Sequence, residues 1–326
     1  MDMESDIIRR ALPWSVVLFF LLALFLAVSA VVYVIAFRSP NRKQNNDYNI
    51  AHTSQLDPLR ETISGMIARL NEIPYESVSC PSDDGLTLRG RYYHRKDGAP
   101  VMICFHGYRG TPSRDFAGGT AMYLEQGFNL LMVEQRAHCG SEGHTITLGV
   151  RERHDCLVWI DYIRWRFDLD TPILLAGISM GATTVLMASG LELPENVRGI
   201  IADCPYTSPK EILLRVCANR GIPPRIVYPF LWLGALVYGR FRLTAADASE
   251  AVKRAKAPIL LIHGEDDRFV PCDMGRRIAE ANPEKIEFHT FPQAGHGLSY
   301  LIDQPRYEQI VRSFLAKALS RETSHT

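Results

Sequence analysis

Residues 177–181 read Gly-Ile-Ser-Met-Gly and follow directly on the apolar run Pro172-Ile173-Leu174-Leu175-Ala176. A buried strand running into a sharp turn with a serine at its apex is the G-x-S-x-G nucleophile elbow. Its two glycines leave room for a backbone strained enough to push Ser179 out of the turn. A serine hydroxyl is a poor nucleophile unless a histidine takes its proton and a carboxylate orients that histidine. With this elbow the partners come later in the chain, carboxylate before histidine. Ala182 to Ser189 then reads as a small-residue helix able to lie close to a sheet.

The carboxylate is expected after the apolar run Pro258-Ile259-Leu260-Leu261-Ile262, where Glu265, Asp266 and Asp267 compete. The base is expected after the alternating segment Ile286, Phe288, Thr290, on the loop where His296 sits between Gly295 and Gly297. His289 lies inside that strand and reads as structural. The charge that develops on an attacked carbonyl needs donors, and an earlier strand should supply one of them. Val101-Met102-Ile103-Cys104-Phe105 is such a run, and His106-Gly107-Tyr108 follows it. The backbone N–H groups of Tyr108 and Met180 are the expected oxyanion donors. His106 and His263, each in a His-Gly pair after a strand, read as packed turn residues.

The four parts fall in the order Gly107/Tyr108, Ser179, acid, His296. In this arrangement residues 75–320 resemble an α/β-hydrolase, and more narrowly the bacterial serine aminopeptidase and acyl-esterase type. The resemblance favours Asp267 as the acid, because Val270-Pro271 follows it at the family's spacing; Asp266 is the alternative. Residues 134–143 resemble the family loop D-x-R-G-H-G-x-S-x-G, with Glu134 for Asp, Ala137 for Gly and Cys139 for Gly. The resemblance implies an α/β fold: a mostly parallel, doubly wound sheet with a helical cap insertion. It implies hydrolysis through an acyl-enzyme, without cofactor or metal. The expected substrate is a small acyl ester. A peptidase using the same triad, acting on a peptide-like substrate, is the alternative reading, and an inactive binding module is a third.

The strands that must hold these loops are legible. Residues 77–80 and 86–93 read as a hairpin, followed by strands at 101–105, 129–134, 172–176, 199–202, 258–262 and near 286–290, with helices near 114–126 and 150–167. Alternation of strands and helices gives a parallel sheet whose ligands bind beyond the carboxyl ends of the strands. Between the strands at 199–202 and 258–262 lies far more chain than a crossover needs. Residues 205–250, rich in apolar and aromatic side chains, are expected to form a cap over the site.

The chain of 326 residues carries 36 basic and 36 acidic side chains, so nothing favours nucleic acid. The seven cysteines are irregularly spaced and suggest no disulfide framework. His138, Cys139, His144, His154 and Cys156 lie near one another but lack a metal-ligand spacing, and read as loop and helix residues.

Residues 11–37 contain no charged side chain and would form a helix about 40 Å long, enough to cross a hydrocarbon core of about 30 Å. A signal peptide's apolar stretch is shorter. The segment reads as a transmembrane helix, with Trp14 and Tyr33 at interfacial positions and the bilayer as a partner. Arg9 and Arg10 precede it and Arg38, Arg42 and Lys43 follow. That asymmetry and the unpaired cysteines favour a cytoplasmic domain; an external domain is the alternative. Residues 38–56 read as a polar linker. Residues 57–74 read as an amphipathic helix, with Leu59, Ile63, Met66, Ile67 and Leu70 on one face.

Overall fold

The computed structural model describes residues 3–39, 47–50 and 52–320, with side chains from Trp14 onward. Residues 40–46 and 51 of the expected linker lie outside the described residues. Helix α1 (Met3–Ala36) comes first, then α2 (Arg60–Asn71), which a short 3-10 turn at Asp57–Leu59 introduces. The domain follows as β1 (Glu76–Pro81), β2 (Thr87–Tyr93), β3 (Val101–Phe105), α3 (Pro112–Glu125), β4 (Asn129–Glu134), α4 (Glu152–Arg166), β5 (Ile173–Ile178), α5 (Met180–Ala188) and β6 (Val197–Asp203). An insertion then holds α6 (Pro209–Asn219), α7 (Pro224–Leu233), a π turn at Gly234–Tyr238 and α8 (Ala248–Val252). The chain closes with β7 (Ile259–Gly264), α9 (Cys272–Ala281), β8 (Ile286–Phe291), α10 (Ser299–Ile302) and α11 (Gln304–Leu319).

The eight strands form one sheet in the order β1-β2-β4-β3-β5-β6-β7-β8. The pairs β1/β2 and β2/β4 are antiparallel and every other pair is parallel. Side chains alternate across a strand, and β3 shows the result. Val101, Ile103 and Phe105 enter one core with Trp159, Met180 and Leu231, while Met102 and Cys104 enter the other with Ile67, Phe116 and Phe314. The central strands are apolar on both faces because helices cover both.

Two N-terminal pieces are docked on the domain. Ile50, Ile63, Ile67 and Leu70 are buried in the second core. Phe37, just beyond α1, is fully buried in the first. The C-terminal half of α1 runs against the insertion: Phe25 meets Phe230 at a ring separation of 4.7 Å, and Phe37 meets Phe241 at 5.3 Å. Within α1, Trp14–Ala36 is long and apolar enough to cross a membrane.

Candidate active site

Strand β5 delivers Ser179 into the turn before α5, with φ 55° and ψ −112°. Such a conformation is costly for a residue with a Cβ and persists only where its surroundings impose it. Both flanking glycines are sterically required: a Cβ on Gly177 would overlap the Gly181 backbone, and one on Gly181 would overlap the Phe105 carbonyl. The Ser179 N–H is tied to the Asp203 carbonyl at the end of β6, 2.8 Å away.

His296 reaches Ser179 from the loop after β8, with its Nε2 2.8 Å from Ser179 Oγ. Its Nδ1 lies 2.6 Å from Asp267 Oδ2, on the loop after β7. Of the three acids in that loop, Glu265 and Asp266 are exposed and Asp267 is buried. Burial alone would raise the Asp267 carboxyl. The charge of His296, hydrogen bonds from His263 and His296, and the Val270 N–H outweigh it and hold the group down to about 2. An ionised carboxylate only accepts, so Nδ1 carries the proton and donates to Asp267. Nε2 is then the acceptor, and Ser179 Oγ–H donates to it. Asp267 Oδ1 takes the N–H groups of Phe269 and Val270 at 2.9 and 2.8 Å, which locks the carboxylate in place. His263 is fully buried and bonded to the Val270 carbonyl, behind the carboxylate. The Phe269 ring lies 5.1 Å from the His296 ring.

The loop after β3 closes the other side. A Cβ on Gly107 would stand 3.5 Å from the Ser179 Cβ, so the loop passes directly over the serine. The Gly107 N–H donates to Asp115 and the Arg109 N–H to His138, which brackets the Tyr108 N–H between two anchored neighbours. Met180 opens α5, where helix geometry supplies its N–H with no acceptor. His106 donates from Nδ1 to the Gly107 carbonyl and accepts the Gln135 N–H at Nε2. Burial pushes it down to about 3, so it serves as a neutral strut. The loop is also tied to α1: the Tyr108 hydroxyl donates to the Ala36 carbonyl, and Arg109 donates to the carbonyls of Ile35 and Arg38.

A cavity of about 510 Å³ opens beside Ser179 and His296. Its apolar wall comes from Ile50, Leu56, Ile63, Met66, Phe116 and Leu301. The expected cap would have placed residues 205–250 in this wall. Instead the N-terminal segment before β1 and the α3 and α10 helices line it, since α2 packs across α3. The insertion touches the site from the side, where Asn219 donates to the Arg268 carbonyl next to Asp267. On the cavity floor Asp203 is buried, its Oδ1 has no hydrogen-bond partner among the described residues, and burial pushes its carboxyl up to about 6. Neither the N-terminal wall nor Asp203 has a local sequence signature; both come from long-range packing.

Ala137 and Cys139, which stand where the resembling loop has glycine, both adopt the left-handed backbone, φ 62° and 48°. The turn needs that geometry because the Ala137 N–H bonds the Glu142 carbonyl and the Gly140 N–H reaches Glu134. The histidines and cysteines of residues 138–156 do not converge: His138 bonds Arg136 and Arg109, and Cys156 is in the core. Among the described residues, the potential ligand atoms that gather within 4.8 Å are those of Cys204, Asp267 and His296. Two of that trio are already joined by a hydrogen bond.

A family model described as "Alpha/beta hydrolase family" matches residues 102–308. The chain belongs to the alpha/beta hydrolase family. Among relatives, it is 23% identical over 259 residues to the uncharacterized protein YqkD of Bacillus subtilis, covering 78% of this chain and 85% of that one. It is 28% identical to human Protein ABHD12B, covering 74% and 68%. It is 25% identical to the lysophosphatidylserine lipase ABHD12 of Rattus norvegicus, covering 67% of this chain and 56% of that protein. Among solved structures, the Pyrococcus furiosus esterase Pf2001 superposes with a TM-score of 0.64 at 19% identity, over 86% of this chain and 98% of that one. Est1E from Butyrivibrio proteoclasticus, with ferulic acid bound, gives 0.57 at 19% identity over 75% and 100%. At those identities the two structures show the shared fold. Neither they nor these relatives is named as an aminopeptidase.

Proposed function

We propose that this alpha/beta hydrolase is a membrane-anchored serine esterase that cleaves single-chain acyl esters through an acyl-enzyme. The observation that carries the reading is the continuous hydrogen-bonded chain Ser179–His296–Asp267 beside an apolar-walled cavity. Ser179 Oγ attacks the ester carbonyl while His296 Nε2 takes its proton, and Asp267 holds the imidazole and stabilises its charged form. The N–H groups of Tyr108 and Met180 bind the oxyanion. The tetrahedral adduct collapses, the alcohol leaves with the proton from His296, and the acyl group stays on Ser179. Water then attacks with His296 as base and releases the carboxylic acid. No step calls on a cofactor or metal.

The cavity size lies in the range of small-molecule sites, about 300–1,000 Å³, and its apolar wall suits an acyl chain. A relative that is named a lysophosphatidylserine lipase supports monoacyl lipids as the class, since such a lipid has one acyl ester. The terminal apolar helix supports anchoring in the bilayer where such substrates reside. A series of p-nitrophenyl acyl esters, run beside aminoacyl p-nitroanilides, tests the reading. Turnover of the esters that rises with chain length is the expected result. Preference for the anilides would replace the esterase with a peptidase.

A further inference from the structure

We infer that the insertion is itself a membrane-embedded element, with α7 and the π turn after it sunk into the same leaflet that holds the C-terminal half of α1. The inference rests on reading α1 as a bilayer-crossing helix and not on the chemistry of Ser179.

The first observation is depth. At about 1.5 Å per residue, Trp14–Ala36 is about 35 Å long, close to a hydrocarbon core of about 30 Å. Phe25 and Leu26 sit near its midpoint, about 15 Å along the axis from Ala36. The insertion reaches them both. Phe230 packs on Phe25, and the Tyr238 hydroxyl donates to the Leu26 carbonyl at 3.0 Å. Between these contacts the two backbones come close: a Cβ on Gly234 would stand 2.9 Å from the Ser29 carbonyl oxygen. Small residues at a helix crossing and an intramembrane hydroxyl given a partner are what packing inside a bilayer requires. An element that follows a spanning helix to its midpoint lies inside the bilayer.

The second observation is independent of α1. No charged side chain occurs between Arg225 and Arg240. The side of this segment away from the domain is apolar and exposed: Ile226 is 65% exposed, Trp232 45% and Val237 46%. The same range holds along α1, where Leu24 is 61% and Val34 47% exposed. Neighbouring large apolar side chains exposed together mark an interaction or membrane face rather than an ordinary water-facing surface. The exposed Arg240 closes it at the end that follows α1 up to Phe37, as expected where a segment leaves the hydrocarbon for the headgroups. The insertion and α1 thus form one apolar body. Its upper end is bonded to the Tyr108 loop, so Ser179 stands at the membrane surface.

The test uses the full chain in phosphatidylcholine vesicles with a radiolabelled acyl chain. A photoreactive benzophenone side chain is placed at Leu24, Ile226, Val237 or, as a water-facing reference, Asp97 on the loop before β3. Lipid adducts at Ile226 and Val237 equal to those at Leu24, with none at Asp97, are the expected result. Adducts at Leu24 but none at Ile226 and Val237 would overturn the proposal while leaving α1 as an anchor. Absence at Leu24 as well would remove the anchor with it. Covalent dimers in place of lipid adducts would assign the patch to a second copy and likewise overturn it. None of these outcomes depends on hydrolysis, so the esterase reading stands or falls separately.

Discussion

Around Ser179, position is set by directional bonds and backbone strain. A serine in a left-handed turn, two glycines with no space for a Cβ, and a carboxylate holding two N–H groups leave each atom one place to be. Along the seam between α1 and the insertion, position is set by area: rings on rings at Phe25/Phe230, Tyr33/Tyr238 and Phe37/Phe241, with one hydroxyl bond. The difference teaches that chemistry and attachment are separable in this molecule. Side-chain changes at Ser179 should alter rate with little effect on stability. Changes at the seam should alter stability with little effect on rate.

The largest effect that would expose a failure of this separation is expected at Ser179. Ser179→Ala is expected to lower kcat by about 10⁶-fold while the thermal midpoint stays within a degree or two of the parent. Ester hydrolysis and calorimetry check the two halves. Activity near the parent level would end the account of the elbow.

Asp267→Asn should cost about 10⁴-fold in kcat, because an amide can hold the imidazole in the wrong tautomer. It also sharpens the comparison, since here one residue serves both chemistry and stability. The folded carboxyl is held down to about 2, below an unfolded value of about 3.9. Its contribution is therefore present above about pH 4 and lost as pH falls through about 2. The variant should unfold at lower temperature than the parent at pH 7, and the gap should close between about pH 4 and 2. A gap independent of pH would contradict the assignment of a depressed carboxyl.

At the seam, Phe230→Ala should remove about 1 kcal/mol of stability by losing the aromatic pair with Phe25, with kcat per folded molecule unchanged. Thermal unfolding in detergent and an active-site titration measure both. A large fall in kcat without a fall in stability would show that the seam acts on the Tyr108 loop.

The smallest effect is expected at Ala137→Gly. Relief of a left-handed backbone, φ 62°, should outweigh the extra freedom of the unfolded chain and raise stability by about 0.5–1 kcal/mol. Denaturant unfolding reads it, and a loss of stability would show that the Ala137 methyl in the core matters more than the turn.

The two regions also differ in how far the sequence announces them. Strands such as Val101–Phe105 and Ile259–Ile262 are apolar at every position and bounded by turns, and the elbow's glycines follow from a steric rule that acts over five residues. Chain order then points to His296. The choice among Glu265, Asp266 and Asp267 rested on a family spacing, and burial separates them because only Asp267 turns inward. The wall of the cavity was not legible. Ile50, Leu56 and Ile63 precede the first strand and reach the site by packing α2 across α3, which no local pattern encodes. The seam was hidden for the same reason. Residues 226–239 and 11–37 are each visibly apolar, but that they pack on each other depends on Gly234 and Tyr238 meeting Ser29 and Leu26 across most of the chain.

The central claim is that His296 activates Ser179. A fluorophosphonate probe, which phosphonylates an activated serine, tests it most directly when the full chain is labelled in detergent and the adduct is mapped by mass spectrometry. The account predicts one adduct, on Ser179, formed by the parent chain and abolished in His296→Ala. Labelling of another residue, no labelling of the folded parent, or undiminished labelling in His296→Ala would contradict it.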